Sequence, residues 1–313
     1  VGVLIKHYDK EVTKEAISSD GEKIPAYKTK FLFYDQSKGK PNEFILDFNG
    51  KFVHKLQVTS DNGNNLYLFG LYKNKYDGYV AGFFAATIDK TTQQVNTTNQ
   101  AAFPQELIDQ IKVDKQGSNR ERDPGLSSNF TLAQIVDKHD GSKDYLLEYS
   151  SAIFVPGSTT YSGGRSYTTA SYWKYAYGDV IDIATKANGK VVITRVPKMQ
   201  STINVRIYSN FKAIPYKDKL LIFYNDDADN ITRDIAKRPE TIDKFSHSVL
   251  TMAVIDDNGN LNREVIQENR NAKLVPAIRE SYIIDDNTIG LYAQRGAGIF
   301  AAAKDMTGIL EVK

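Results

Sequence analysis

Cysteine is absent from the chain. That excludes disulfides, thiolate nucleophiles and zinc or iron–sulfur sites held by sulfur. Tryptophan occurs once and methionine three times. No run approaches the ~18 apolar residues of a membrane-spanning helix, so no transmembrane segment is expected. Charge of one sign is also missing: 40 basic residues face 38 acidic ones, and the signs are interspersed. No basic block offers the electrostatic footprint of a nucleic-acid binder. Four histidines, His7, His54, His139 and His247, are scattered without metal-ligand spacing. No Gly-x-Ser-x-Gly elbow and no phosphate-cradling glycine loop is present.

What the chain has in abundance is aromatic residues, with 19 Tyr and 15 Phe in 313 residues. Aromatic and β-branched side chains fit a pleated, half-buried surface, so the composition points to strands. Asn-Gly pairs sit between strand-like runs at Asn49-Gly50, Asn188-Gly189 and Asn258-Gly259. Such pairs suit tight type I′ hairpin turns, which require positive φ at both central residues.

The hairpins belong to larger units. Strand-like runs follow one another at 52–58, 66–72, 79–89 and 93–96. The order recurs at 211–215, 219–225, 248–256 and 261–267, and again at 274–284, 288–294, 298–304 and 308–312. Four-stranded meanders repeated along a chain are the signature of propeller blades. The expected fold is therefore all-β: a β-propeller-like repeat of four-stranded antiparallel meanders in one domain over 1–313, with about five blades. The opening Val1-Gly2-Val3-Leu4-Ile5 reads as a strand in mid-unit, which points to missing upstream strands.

Two insertions interrupt the repeat. Near 100–129, Phe103, Leu107, Ile108 and Ile111 have helical spacing after Pro104, and a Gly/Ser/Asn-rich loop follows. Residues 225–246 are polar, with Ile231, Ile235 and Ile242 as their apolar anchors. Loops on a rigid scaffold are where binding residues concentrate.

The pieces Phe223-Tyr224-Asn225-Asp226, Met252-Ala253-Val254-Ile255-Asp256-Asp257-Asn258-Gly259 and Ile289-Gly290-Leu291-Tyr292-Ala293-Gln294-Arg295 resemble uncharacterised propeller-like proteins of Bacteroidota cell envelopes. The resemblance lies mainly in residues 210–313. It implies an extracytoplasmic location, and it implies no active site. The chain has neither the Asp-box of sialidases nor the Trp-Asp ending of WD repeats.

The candidate contact residues come from three places. Tyr161, Arg165 and Tyr167 flank a Gly-Gly pair and read as an exposed, mobile tip suited to a glycan or protein partner. Trp173, Tyr175 and Tyr177 share one strand face by alternation and read as an aromatic stripe buried between blades. Arg279 and Arg295 lie in the last unit, where an inner-strand Arg can bind a carboxylate bidentately or pair with a Glu between blades. The run Asn225 to Asn230 contains Asp226, Asp227 and Asp229, a weak candidate for calcium through oxygen ligands that lacks the EF-hand glycine and terminal Glu. No other cofactor is expected.

The leading functional expectation is a non-catalytic binding or scaffold module of the cell envelope. The alternative is a propeller-type glycoside hydrolase or carbohydrate-binding protein, for which Glu148, Asp179 and Glu280 are the acidic residues to inspect. Carboxylates converging at one end of a channel would favour the hydrolase.

Overall fold

The computed structural model describes residues 2–8, 16–17, 23–24, 27–34, 39–46, 48, 50–60, 63–92, 94–112, 125–138, 140–295 and 304–312. The chain divides into two compact units, Val1–Ser128 and Asn129–Lys313. The repeat of four-stranded antiparallel meanders expected from the sequence is what it builds.

The first unit holds two principal sheets. The first pairs strands Gly2–Tyr8, Tyr27–Tyr34 and Pro41–Leu46. The second is the meander Phe52–Ser60, Asn65–Lys73, Val80–Asp89 and Val95–Ala102. Phe31, Leu46 and Phe48 of the first part pack on Leu66, Leu68, Phe84 and Ile88 of the second. The predicted helix follows at Gln105–Lys112. Phe103, Leu107 and Ile108 are buried, as helical spacing requires. The loop expected after it, residues 113–124, lies outside the described residues.

Among the described residues the second unit holds three principal sheets and a two-stranded hairpin. The third sheet of the chain pairs Phe130–Asp137, Lys143–Val155, Tyr172–Thr185 and Val191–Val196, with Gln200–Ile203 added beside Tyr172–Thr185. The fourth is the meander Lys212–Tyr216, Lys219–Asp226, Val249–Ile255 and Leu261–Glu268. In the fifth, Leu274–Pro276 and Tyr282–Asp285 both pair with Thr288–Arg295, which also pairs with Lys304–Glu311. The strands expected at 298–304 and 308–312 are corrected here. A single strand, Lys304–Glu311, runs across that boundary, and 298–303 lie outside the described residues.

Strand Lys219–Asp226 shows how these sheets stack. Its burial is continuous from Leu220 to Asp226. Leu220, Ile222 and Tyr224 face the third sheet through Leu146, Val180 and Val196. Leu221 and Phe223 face the fifth through Ile289. A strand covered on both faces reads as an unbroken apolar run, and each such side chain contributes about 1.5–3 kcal/mol through burial.

The Asn-Gly turns differ from expectation. Gly189 and Gly259 have φ of +83° and +84°, whereas Asn188 and Asn258 are not in the left-handed region. Lys186 N donates to Lys190 O and Gly189 N to Lys186 O; Asp256 to Asn260 repeats the arrangement. These are type I turns closed by a glycine bulge, the three-residue hairpin loop. Side chains select it: Asp256 Oδ1 accepts from the backbone N–H of Asn258 and Asn260. Asn49 lies outside the described residues and Gly50 has φ +74°, but the hairpin expected there is corrected: Pro41–Leu46 and Phe52–Ser60 belong to different sheets, so the turn joins two sheets instead of two paired strands.

Candidate functional site

Two features of the second unit carry the chemistry: a sealed polar centre and an exposed β-arm.

The polar centre is built on neighbouring strands of the third sheet. Glu148 and Asp179 lie on its two long central strands, Arg195 on the next, and Lys198 and Gln200 follow. Lys198 Nζ donates to Glu148 Oε1 at 2.6 Å, and its backbone N–H donates to Asp179 Oδ1 at 3.2 Å. Arg195 Nε donates to Asp179 Oδ2 at 3.0 Å. Gln200 Nε2 carries the network to Asn225 O at 2.8 Å. Asn225 Nδ2 then donates to Tyr208 O and Pro276 O, both at 2.8 Å. One side chain thus ties the fourth sheet to the fifth. Lys198, Gln200, Asn225 and Asp226 are completely buried, and Glu148 nearly so.

Burial sets the titration of this centre. It raises Glu148, with Lys198 opposing the shift. It pushes Asp226 up to about 7, against the hydrogen bonds from Asn230 and Asp227. Tyr224 rises well above the phenol range for the same reason.

The carboxylates that sequence reasoning marked for inspection do gather in part: Glu148 and Asp179 share Lys198, while Glu280 is exposed. Each of the two is matched by its own cation. Neither is open to solvent in the way a carboxylate pair acting on a glycosidic bond must be.

The Asp-rich run is spent on structure. Asp226 Oδ1 accepts from Asn230 Nδ2 at 2.7 Å. Asp227 caps the short 3₁₀ helix Ala228–Asn230 by accepting from Asp229 N. Asp229 is exposed. Among the described residues no group of three or more His, Asp or Glu side chains is placed to hold a metal ion. In segment 225–246, Ile242 is buried as an anchor, but Ile235 is exposed. The other anchors are polar: Asn230 exchanges bonds with Glu240, and Arg195 Nη1 donates to Ile235 O.

Arg279 stands in the turn before Tyr282–Asp285, not on an inner strand as expected. Its Nη1 donates to Tyr177 OH and Asn210 Oδ1, each at 3.2 Å, in place of a bidentate carboxylate. Glu148 already holds Lys198 at Oε1, and the Arg279 charge also acts to lower its carboxyl without a hydrogen bond between them. Arg295 is exposed at the end of its strand, opposite Leu274 and Lys304.

The arm is the surprise. The segment read as a loop around Tyr161, Arg165 and Tyr167 is a hairpin of Ser158–Ser162 and Arg165–Thr169. Gly163 and Gly164, at φ +58° and +74°, make the primed turn that the Asn-Gly pairs did not. The hairpin lies in the same register as the two long strands, from Ser150 opposite Tyr177, through Val155 opposite Tyr172, to Ser162 opposite Arg165, with strand pairing interrupted at 156–157 and 170–171. At ~3.3 Å per residue the arm is roughly 40 Å long. A bulge between Glu148 and Ser150 marks where it leaves the core.

Alternation sorts its side chains. Phe154, Trp173, Tyr175, Tyr167 and Arg165 fall on one face by register, Ile153, Tyr161 and Tyr172 on the other. Tyr161 is 82% exposed and Trp173 44%. The expected stripe therefore shares a face but is not buried between sheets: of Trp173, Tyr175 and Tyr177, only Tyr177 is buried. Phe154 and Trp173 rings meet at 5.3 Å, Trp173 and Tyr175 at 6.2 Å, and the Arg206 guanidinium lies 5.0 Å from the Tyr175 ring centre. Arg165 is the one charged residue from Ser150 to Trp173. A run of strand formers without charge reads in sequence as core; only pairing register reveals that it projects.

No family model matches the chain, and no curated protein matches it. Among solved structures, a mutant of B. megaterium levansucrase is similar over 99% of this chain and 89% of its own, at 7% identity and a TM-score of 0.22.

Proposed function

We propose that the protein is a non-catalytic binding or scaffold module whose contact surface is the β-arm. One observation carries this reading: Glu148 and Asp179 are each paired with a cation and sealed from solvent, while in the aromatic face Phe154 and Trp173 are exposed and Tyr175 is half-buried. Exposed apolar clusters of this kind mark interaction sites, and aromatic rings beside an Arg are the usual energetic anchors. The cell-envelope setting rests on the resemblance of residues 210–313.

Trp173 is the only tryptophan, so intrinsic indole fluorescence reports on the arm alone. A panel of neutral polysaccharides is expected to shift that emission and to raise the melting temperature, without release of reducing sugar. Turnover of any glycoside that disappears in Glu148→Gln would replace this reading with a hydrolase centred on Glu148 and Asp179.

A further inference from the structure

The arm is a finger, and the same unit carries a slot. On the fourth sheet, Leu221, Met252, Val254 and Leu261 form the apolar floor of an open groove of about 430 Å³. Asp256 and Glu264 stand on its rim, together with Lys219. The Asp256 carboxylate is fixed in place by Asn260 Nδ2 and by the N–H groups of Asn258 and Asn260. The arm's tip offers the complement: its one cation, Arg165, on the face of Tyr167, with Tyr161 exposed on the other face.

We propose that two copies of the chain exchange arms, the tip of each seating on the groove of the other with Arg165 against Asp256 and Glu264. This rests on the reading of the arm as a contact surface and names its partner.

Three arguments favour a second copy. Finger and slot are on one chain, so a two-fold axis makes both contacts at once. Stable complexes bury ~1,200 Å² or more, and a reciprocal exchange doubles whatever one seat buries. The arm's one cation, Arg165, is opposite in charge to Asp256 and Glu264 on the rim of the groove.

Sedimentation velocity across a wide concentration range is expected to show a reversible dimer. Arg165→Glu and Glu264→Lys should each weaken it roughly tenfold, and the double variant should recover most of the loss, as charge pairs across interfaces do. Replacing residues 158–169 by a two-residue Asn-Gly turn should give a monomer, with an unchanged melt showing that the core survives.

A wild-type chain that stays monomeric overturns the exchange, as does a dimer that survives the trimmed tip. A monomer whose Trp173 emission still responds to polysaccharide, or that captures another protein through the arm, keeps the binding reading and loses only the second copy. A monomer with no arm-dependent binding loses both.

Discussion

Lys198 Nζ sits 2.6 Å from Glu148 Oε1, and both side chains are shut away from water. A buried pair contributes little net stability compared with an apolar replacement, but removing one partner strands the other. Lys198→Met should therefore cost about 3–5 kcal/mol in urea denaturation. Lys198→Met with Glu148→Gln should recover part of that cost. A single variant as stable as the wild type would show that the pair is not buried in solution.

Asp226 gives a pH signature. Its carboxyl is raised to about 7 in the fold, from 3.8 in an unfolded chain. The folded state thus holds a proton that the unfolded state has released. Stability falls as pH rises from near 4 to near 7, and levels off above. Asp182, raised well above its usual value by burial and by Asp144, adds a decline of the same sign. Melting temperatures between pH 5 and 8 (on the order of one carboxyl pKa shift apart) should drop for the wild type and drop less for Asp226→Asn. The bond to Asp226 Oδ1 from Asn230 is one an amide oxygen also accepts. Equal slopes for the two proteins would remove Asp226 as the source.

Much of this was open to sequence reasoning, and the exceptions have physical causes. The meander Lys212–Glu268 follows its apolar runs because each strand is buried by its neighbours. The Asn-Gly turns at 188–189 and 258–259 close hairpins as expected, but Asp256 and Asn188 side chains chose a different loop geometry from the pair alone. Tyr161 to Tyr167 looked like a loop because glycine and serine interrupt it, although Gly163-Gly164 between Thr/Tyr-rich runs is a local two-residue hairpin signal that the structure uses. Arg279 was read as a carboxylate binder, yet its partners Tyr177 and Asn210 lie far away in sequence and carry no charge to reveal them.

Asn225 is the joint between two sheets. Its amide satisfies Tyr208 O and Pro276 O, and its Oδ1 accepts from Asn269 Nδ2 at 3.1 Å. Asn225→Leu takes this donor from two carbonyls in a dry interior, while Asn269 Nδ2 keeps Ser248 Oγ and Phe245 O. Each unmet group costs about 1–3 kcal/mol, so the variant should lose several kcal/mol or fail to fold. Asn225→Asp keeps the shape but turns acceptors toward both carbonyls, and it should also be destabilised. Hydrogen exchange at the strand Leu274–Pro276 is the direct readout, because that strand loses its tie to the fourth sheet. Protection there unchanged in Asn225→Asp would place the joint elsewhere.

Gly259 marks the closest approach of the third and fourth sheets. A side chain there would put its Cβ 2.7 Å from Val192 Cγ1 and 2.8 Å from Thr194 Oγ1, at a φ of +84° that L-residues rarely adopt. Thr194 Oγ1 also donates to Gly259 O at 3.1 Å, so displacing either residue breaks that bond. Gly259→Ala should cost about 1–3 kcal/mol from backbone strain alone, with the clash added. Gly163→Ala on the exposed turn of the arm has the same kind of φ but nothing within 4 Å of a new Cβ. It should weaken the tip without lowering the melting temperature of the core. A comparison of the two variants by thermal melts separates strain from contact: if both leave the core melt unchanged, the third and fourth sheets do not meet at this turn.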